Sequence, residues 1–183
     1  MTSKKRSFLQ VPQGTEGIYL EEAYRHRKIA EEVNSIFLSW GYLPVQTPVI
    51  DFYDLYRPMV EGRSENLYRL IDREGELLLL RNDITLFLAK QMGLALRRED
   101  LPVRVSYSDI ILRHQDREEI AKNEFFQTGA ELIGKEGIYA DLEILSLLFR
   151  VLDYLDLPVS VHIGSKSLFT ALFGKLYEKT RVA

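Results

Sequence analysis

Between Tyr19 and Trp40 the apolar residues Ile29, Val33, Ile36, Phe37 and Trp40 recur at three- and four-residue spacing, which predicts a long amphipathic helix with this stripe in the core. Gly41 is placed to stop it. Tyr42 to Ile50 then reads as an extended segment, and its prolines at 44 and 48 suit an edge or an interface better than a central strand. Leu67–Ile71 and Glu76–Leu80, separated by Asp72-Arg73-Glu74-Gly75, form a hairpin signal. A helix is expected from Ile84 to Leu96 and a strand from Val103 to Arg113, with a loop from Gln115 to Asn123 before the next strand. Tyr139 to Leu155 reads as a helix burying Leu142, Leu145, Phe149 and Leu152; a short strand at Pro158–Ile163 and a helix at Ser165–Lys179 follow. Antiparallel hairpins among long helices predict an α+β fold, a sheet covered by helices.

The strand beginning at Glu124 carries polar groups where a core is expected. A period of two sends Phe125, Gln127, Gly129 and Glu131 to one face and Phe126, Thr128, Ala130 and Leu132 to the other. The second face is oily, and the first reads as a pocket floor. Gly129 leaves space between Gln127 and Glu131, and Arg113 at the end of the preceding strand supplies a fixed positive charge nearby. Such a site suits an amino-acid-sized ligand.

At 183 residues, with 46% hydrophobic and 28% charged residues, the chain has the make-up of one soluble globular domain. Its 24 basic and 27 acidic residues leave a formal charge of −3, which argues against nucleic-acid binding driven by overall charge. With no cysteine and three scattered histidines (His26, His114, His162), neither a disulfide framework nor a metal site is expected. No apolar run approaches membrane-spanning length, and the basic N-terminus lacks a signal-peptide core, so a cytoplasmic protein is expected. Residues 1–10 are read as a flexible tail and 11–183 as the core domain.

Pro12-Gln13-Gly14-Thr15-Glu16-Gly17, the helix ending in Trp40-Gly41-Tyr42 with Thr47-Pro48 behind it, and Leu80-Arg81-Asn82-Asp83-Ile84-Thr85 resemble, in order, the opening, motif 1 and the substrate loop of class II histidyl-tRNA synthetases. Arg113 to Glu131 resembles their motif 2, and Asp141-Leu142-Glu143 after Ile133-Gly134 continues the pattern. The resemblance implies a class II aminoacyl-tRNA synthetase-like antiparallel sheet flanked by helices. Departures matter as much. Gln115 stands where the synthetases have glutamate, Ala121 falls at their loop-arginine position, and Asp83 replaces a glutamate. The chain ends at Ala183 before any histidine-specific arginine motif or motif 3, so the core is expected to be incomplete at its C-terminus, through truncation or as a natural minimal form. Adenylation needs cations against the charge developing on a transferring phosphate.

The chain therefore resembles the regulatory subunits of ATP phosphoribosyltransferase, a histidyl-tRNA synthetase-like family without aminoacylation activity. That resemblance implies no catalytic residues and no cofactor, a short-form ATP phosphoribosyltransferase catalytic subunit as partner, a homodimer with Pro48 at its interface, and free histidine as a ligand; tRNA is not an expected partner. The implied histidine site places Glu131 on the imidazole, Gln127 on the amino-acid backbone, Asp83 and Thr85 on the ammonium, and Arg113 on the carboxylate. Plainer readings stand beside these. Arg113 could pair with Glu131 or Asp109, Gln127 and Glu131 could lie on a solvated face, Asp83 and Thr85 could do no more than cap a helix, and Asp116 to Glu119 could be a solvated charge run. A synthetase fragment or ligase paralogue, or a structural dimer module with an empty pocket, are the alternative functions.

Overall fold

The structure is a computed structural model that describes residues 10–12, 14–60, 66–114 and 122–180, with side chains described up to residue 173. The expected tail over residues 1–9, Gln13, and the loop positions Gln115 to Ala121 lie outside the described residues. The backbone divides into two compact units, residues 1–151 and 152–183.

In the first unit, α1 (Leu20–Ser39) leads through Gly41, at φ +82°, into β1 (Leu43–Pro44) and β2 (Ile50–Phe52). That left-handed φ is why glycine ends the helix here. Next come α2 (Tyr53–Val60), the hairpin β3 (Arg69–Ile71) and β4 (Leu77–Leu80), α3 (Ile84–Ala95), and the long strands β5 (Val103–Leu112) and β6 (Glu124–Ile133). The helix α4 (Ile138–Leu155) crosses from the first unit into the second, which also holds α5 (Lys166–Thr180).

Among the described residues the strands form two three-stranded sheets, ordered β1-β5-β6 and β2-β4-β3. All pairings are antiparallel except β1 with β5. The β5–β6 ladder runs without a bulge from Val103↔Ile133 to Leu112↔Glu124. Directly opposed residues share a face. Val105, Tyr107 and Ile111 therefore lie on the same side as Glu131, Gly129 and Phe125.

Helix α3 packs in two directions. Ile84 and Leu88 meet Val105, Tyr107 and Ile111 on one side, with Phe125 and Ile133 partly buried against them. Phe87 joins Tyr53, Tyr56, Val60, Leu67 and Leu79 on the other, and its ring stacks on Tyr56 at 4.6 Å. The opposite face of the β5–β6 sheet carries a third cluster, Val33 and Phe37 of α1 with Tyr42 and Leu147, against which Ala130 and Leu132 pack.

Several polar clusters tie these layers together. Arg81, 1% exposed, donates to Thr47 O (2.9 Å), Thr47 Oγ1 (3.0 Å) and Ile110 O (2.7 Å), and pairs with Asp109 at 2.8 Å. Its own backbone N–H donates to Val49 O, and its carbonyl accepts from Leu112 N–H. Arg104 forms a two-pronged pair with Glu143, whose carboxylate also accepts from the Tyr42 hydroxyl. The Arg104 guanidinium holds the Glu143 carboxyl below its ordinary range, while burial and Glu143 push the Tyr42 phenol up to about 12. Burial alone would raise the Asp51 carboxyl, but hydrogen bonds from Lys90, Tyr56 and the Phe52 N–H bring it below its usual value.

Some expectations need correction. Ile29 and Trp40 of the α1 stripe are exposed, because the sheet covers only the segment around Val33 and Phe37. In α4 the buried positions are Ala140 and Leu147 rather than Leu142 and Phe149, and Leu145 and Leu152 are only half-buried. This helix is apolar on most of its circumference, so periodicity could not choose a side. Residues 158–163 alternate like a strand but have no ladder partner among the described residues, and a strand needs one. Phe126, expected on the oily face, is 56% exposed.

Candidate functional site

The N-terminus of α3 and the middle of β6 build the candidate site. Asp83, extended at φ −161° and ψ 131°, caps α3 by accepting from Leu86 N–H at 3.1 Å. That fixes the helix start and aims the next residues at the sheet. Thr85 donates to Glu131 Oε1 at 2.8 Å, and Gln127 Oε1 accepts from Ile84 N–H at 3.2 Å. Gln127 thus satisfies a helix N-terminal donor that has no intrahelical partner, while its amide NH2 is its remaining donor group. Arg113, one residue beyond β5, donates to Asn82 O at 2.9 Å and stands 3.7 Å from Asp83. Among the described residues Asn82 Oδ1 is buried without a hydrogen-bond partner.

The fold therefore brings Asp83, Thr85, Arg113, Gln127 and Glu131, which are far apart in sequence, to one region. Its groups are two carboxylates, one guanidinium, an amide and a hydroxyl. They can receive an ammonium or ring N–H and donate to a carboxylate, which are the contacts a free amino acid offers. The plainer readings are redistributed. Asp83 caps α3, whereas Thr85 spends its proton on Glu131. Arg113 pairs with Asp83 instead of Glu131 or Asp109, and Asp109 is taken by Arg81.

A cavity of about 390 Å³ opens beside this cluster, between α3 and the end of β6. Thr85 and Glu131 line it together with Arg97 and Arg98 at its rim, against walls that include Leu88, Met92, Leu96 and Ile133. A mostly apolar recess with a few placed polar groups is the usual form of a small-molecule site. Among the described residues no group of three or more His, Cys, Asp or Glu is arranged to hold a metal.

Sequence reasoning missed Tyr107. The space expected above Gly129 is occupied: the Tyr107 ring crosses it, 6% exposed, and places its hydroxyl 3.1 Å from Thr85 Oγ1 and 3.5 Å from Glu131 Oε1. The available signal was a glycine directly opposite a bulky aromatic in an uninterrupted hairpin. Pro48, expected at a dimer interface, is exposed, as are Leu43, Val49 and Ile50 near it.

An α+β core with a motif 2-type hairpin packed against a capped helix defines a class II aminoacyl-tRNA synthetase-like protein. Solved structures agree. The chain superposes with a TM-score of 0.72 on a Bacillus halodurans protein described as an ATP phosphoribosyltransferase regulatory subunit/histidyl-tRNA synthetase, at 27% identity over 81% of this chain and 38% of that one. Apo histidyl-tRNA synthetase from S. aureus shares the fold at a TM-score of 0.68 and 20% identity, covering 82% of this chain and 36% of that one. The chain belongs to the histidyl-tRNA synthetase family, whose sequence profile matches residues 14–181. Among curated relatives, the ATP phosphoribosyltransferase regulatory subunit of Symbiobacterium thermophilum is 37% identical over 90% of this chain and 42% of its own length. That of Moorella thermoacetica is 36% identical over 76% of this chain and 36% of its own. The chain thus spans well under half the length of these relatives.

Proposed function

We propose that this chain is the synthetase-like core of an ATP phosphoribosyltransferase regulatory subunit, a cytoplasmic protein of histidine biosynthesis that binds an amino acid and a catalytic partner without adenylating either. The observation that carries the reading is the 37% identity to a relative of that name, over nine-tenths of the chain. Gln115 and Ala121, at positions where the synthetases it resembles carry nucleotide-contacting charge, support it. The test is to mix the full-length protein with a short-form ATP phosphoribosyltransferase from the same source. A co-eluting complex and a raised catalytic rate are expected, and the absence of both would remove the regulatory reading.

The ligand in this reading is free histidine. Glu131 receives an imidazole N–H, Gln127 meets the amino-acid backbone, Asp83 and Thr85 meet the ammonium, and Arg113 meets the carboxylate. The gathering of these five residues supports that assignment. A homodimer also belongs to the reading, with the exposed apolar residues around Pro48 on its two-fold axis. Light scattering should give a dimer mass at micromolar concentration, and Pro48→Asp should weaken it. A monomer across that range would reject the dimer.

A ligase is the second reading, favoured by the retained Arg113, Gln127 and Glu131. Histidine-stimulated ATP–pyrophosphate exchange well above background would establish it in place of the first; none is expected.

A further inference from the structure

We propose that Tyr107 is a positioning residue of the amino-acid site: its hydroxyl donates to Thr85 Oγ1, Thr85 donates to Glu131 Oε1, and Glu131 is held with Oε2 turned to receive a ligand N–H. This rests on the histidine reading for the ligand but not for the hydrogen-bond chain itself.

The direction of the chain follows from proton counting. A threonine hydroxyl has one proton, and a carboxylate accepts without donating. The 2.8 Å contact between Thr85 Oγ1 and Glu131 Oε1 therefore uses the threonine proton. At 3.1 Å from the same Oγ1, the Tyr107 hydroxyl can then only be a donor. Its 3.5 Å separation from Glu131 Oε1 is the weaker alternative for that one proton. Burial raises the phenol above its ordinary value, so the donor is protonated throughout the neutral range.

Gly129 shows that the fold makes room for this arrangement. It pairs directly with Tyr107, and a Cβ there would lie 2.5 Å from Tyr107 Cζ and 2.8 Å from Cε2. Its φ is not in the left-handed region, so the backbone conformation does not call for glycine; the close approach of the ring does. Packing against Ile84, Leu88, Val105 and Ile111 fixes the ring, so the hydroxyl enters the site from a rigid base. Holding an otherwise flexible glutamate in its binding rotamer reduces the ordering cost of binding.

The experiment uses the full chain and L-histidine. Tyr107→Phe keeps the ring and removes the hydroxyl. It should weaken histidine binding by calorimetry about tenfold, the size of one lost net hydrogen bond, with little change in the denaturation midpoint. In a Glu131→Ala background the same change should have a smaller effect, because what remains for it to disturb is the Thr85 contact with the ammonium. A ligand-free readout stands beside these. Three-bond couplings should report one χ1 rotamer for Thr85 in the wild type and averaging in Tyr107→Phe. Unchanged affinity, an additive double mutant, or Thr85 couplings that do not differ between the two proteins would overturn the positioning role. A wild type that does not bind histidine would overturn the ligand assignment, and the couplings would still decide the role of Tyr107.

Discussion

Removing the Arg81 side chain should unlock both sheets at once. In Arg81→Ala the Thr47 and Ile110 carbonyls and the Thr47 hydroxyl lose their donors. An unsatisfied buried acceptor costs about 1–3 kcal/mol. The Thr47 carbonyl takes most of that range because Thr47 is buried, and the Ile110 carbonyl takes the lower part because its surroundings are half-open. Asp109, with its side chain 41% exposed, adds little. The sum is about 3 kcal/mol, a large share of the roughly 5–15 kcal/mol that holds a domain together. For a chain of this length it corresponds to a fall in melting temperature of about 6–12 °C. Arg81→Lys should recover only part of the loss, since one ammonium cannot span the acceptors that the planar fork reaches. Urea denaturation followed by the fluorescence of Trp40, the single tryptophan, measures the change. A loss below about 1 kcal/mol in Arg81→Ala would mean that water replaces the guanidinium and that the two sheets do not depend on it.

Other substitutions probe different links. Glu143 has a folded-state carboxyl lower than its ordinary value, so its contribution is present above the unfolded value near 4.5 and is lost as pH falls through the folded one. Acid unfolding followed by circular dichroism should therefore be shallower below about pH 4.5 in Glu143→Gln than in the wild type, and superimposable curves would refute the coupling. Gly129→Ala should drive the Tyr107 ring aside and reduce histidine affinity at least as much as Tyr107→Phe, with a lowered melting temperature as well; an unaltered protein would show that the ring has slack. Asp51→Asn should cost about 1–3 kcal/mol in chemical denaturation, because the Lys90 ammonium, 2.7 Å from Asp51 Oδ1 and over the Tyr56 ring, loses its counter-charge in a half-buried setting. Glu131→Ala should weaken histidine binding by about 1–3 kcal/mol in calorimetry, and unchanged affinity would mean that the polar face holds no ligand.

The parts of this fold legible in sequence are those where local pattern and tertiary environment agree. α1, α3, β5 and β6 fall close to their expected spans because amphipathic period, capping residue and turn signals coincide. α2 went unread because it is short and Pro58 lies inside it, although its buried residues Tyr53, Tyr56 and Val60 fall at helical spacing. The buried side of α4 and the unpaired stretch at 158–163 depend on what packs against them, which no local pattern records. Asp83, Thr85, Gln127 and Glu131 could be placed together from the motif resemblance, and the structure gathers them. Tyr107 could not, since an aromatic in a strand reads as core, and its hydroxyl partners, Thr85 and Glu131, are 22 and 24 residues away.

The uninterrupted β5–β6 ladder makes the site a matter of parity. Ten successive pairs tie each residue of β6 to one on β5, so the connection between the strands can change in length over evolution without moving Glu131. A single residue deleted within β6 has the opposite effect, because it exchanges the two faces of everything beyond it. Ala130 and Leu132 would then face the cavity, and Glu131 would be pressed into the apolar cluster beneath α1 and α4. Natural variation in this hairpin should therefore be tolerant of indels in the connection and, within the strand, restricted to substitutions that preserve the count.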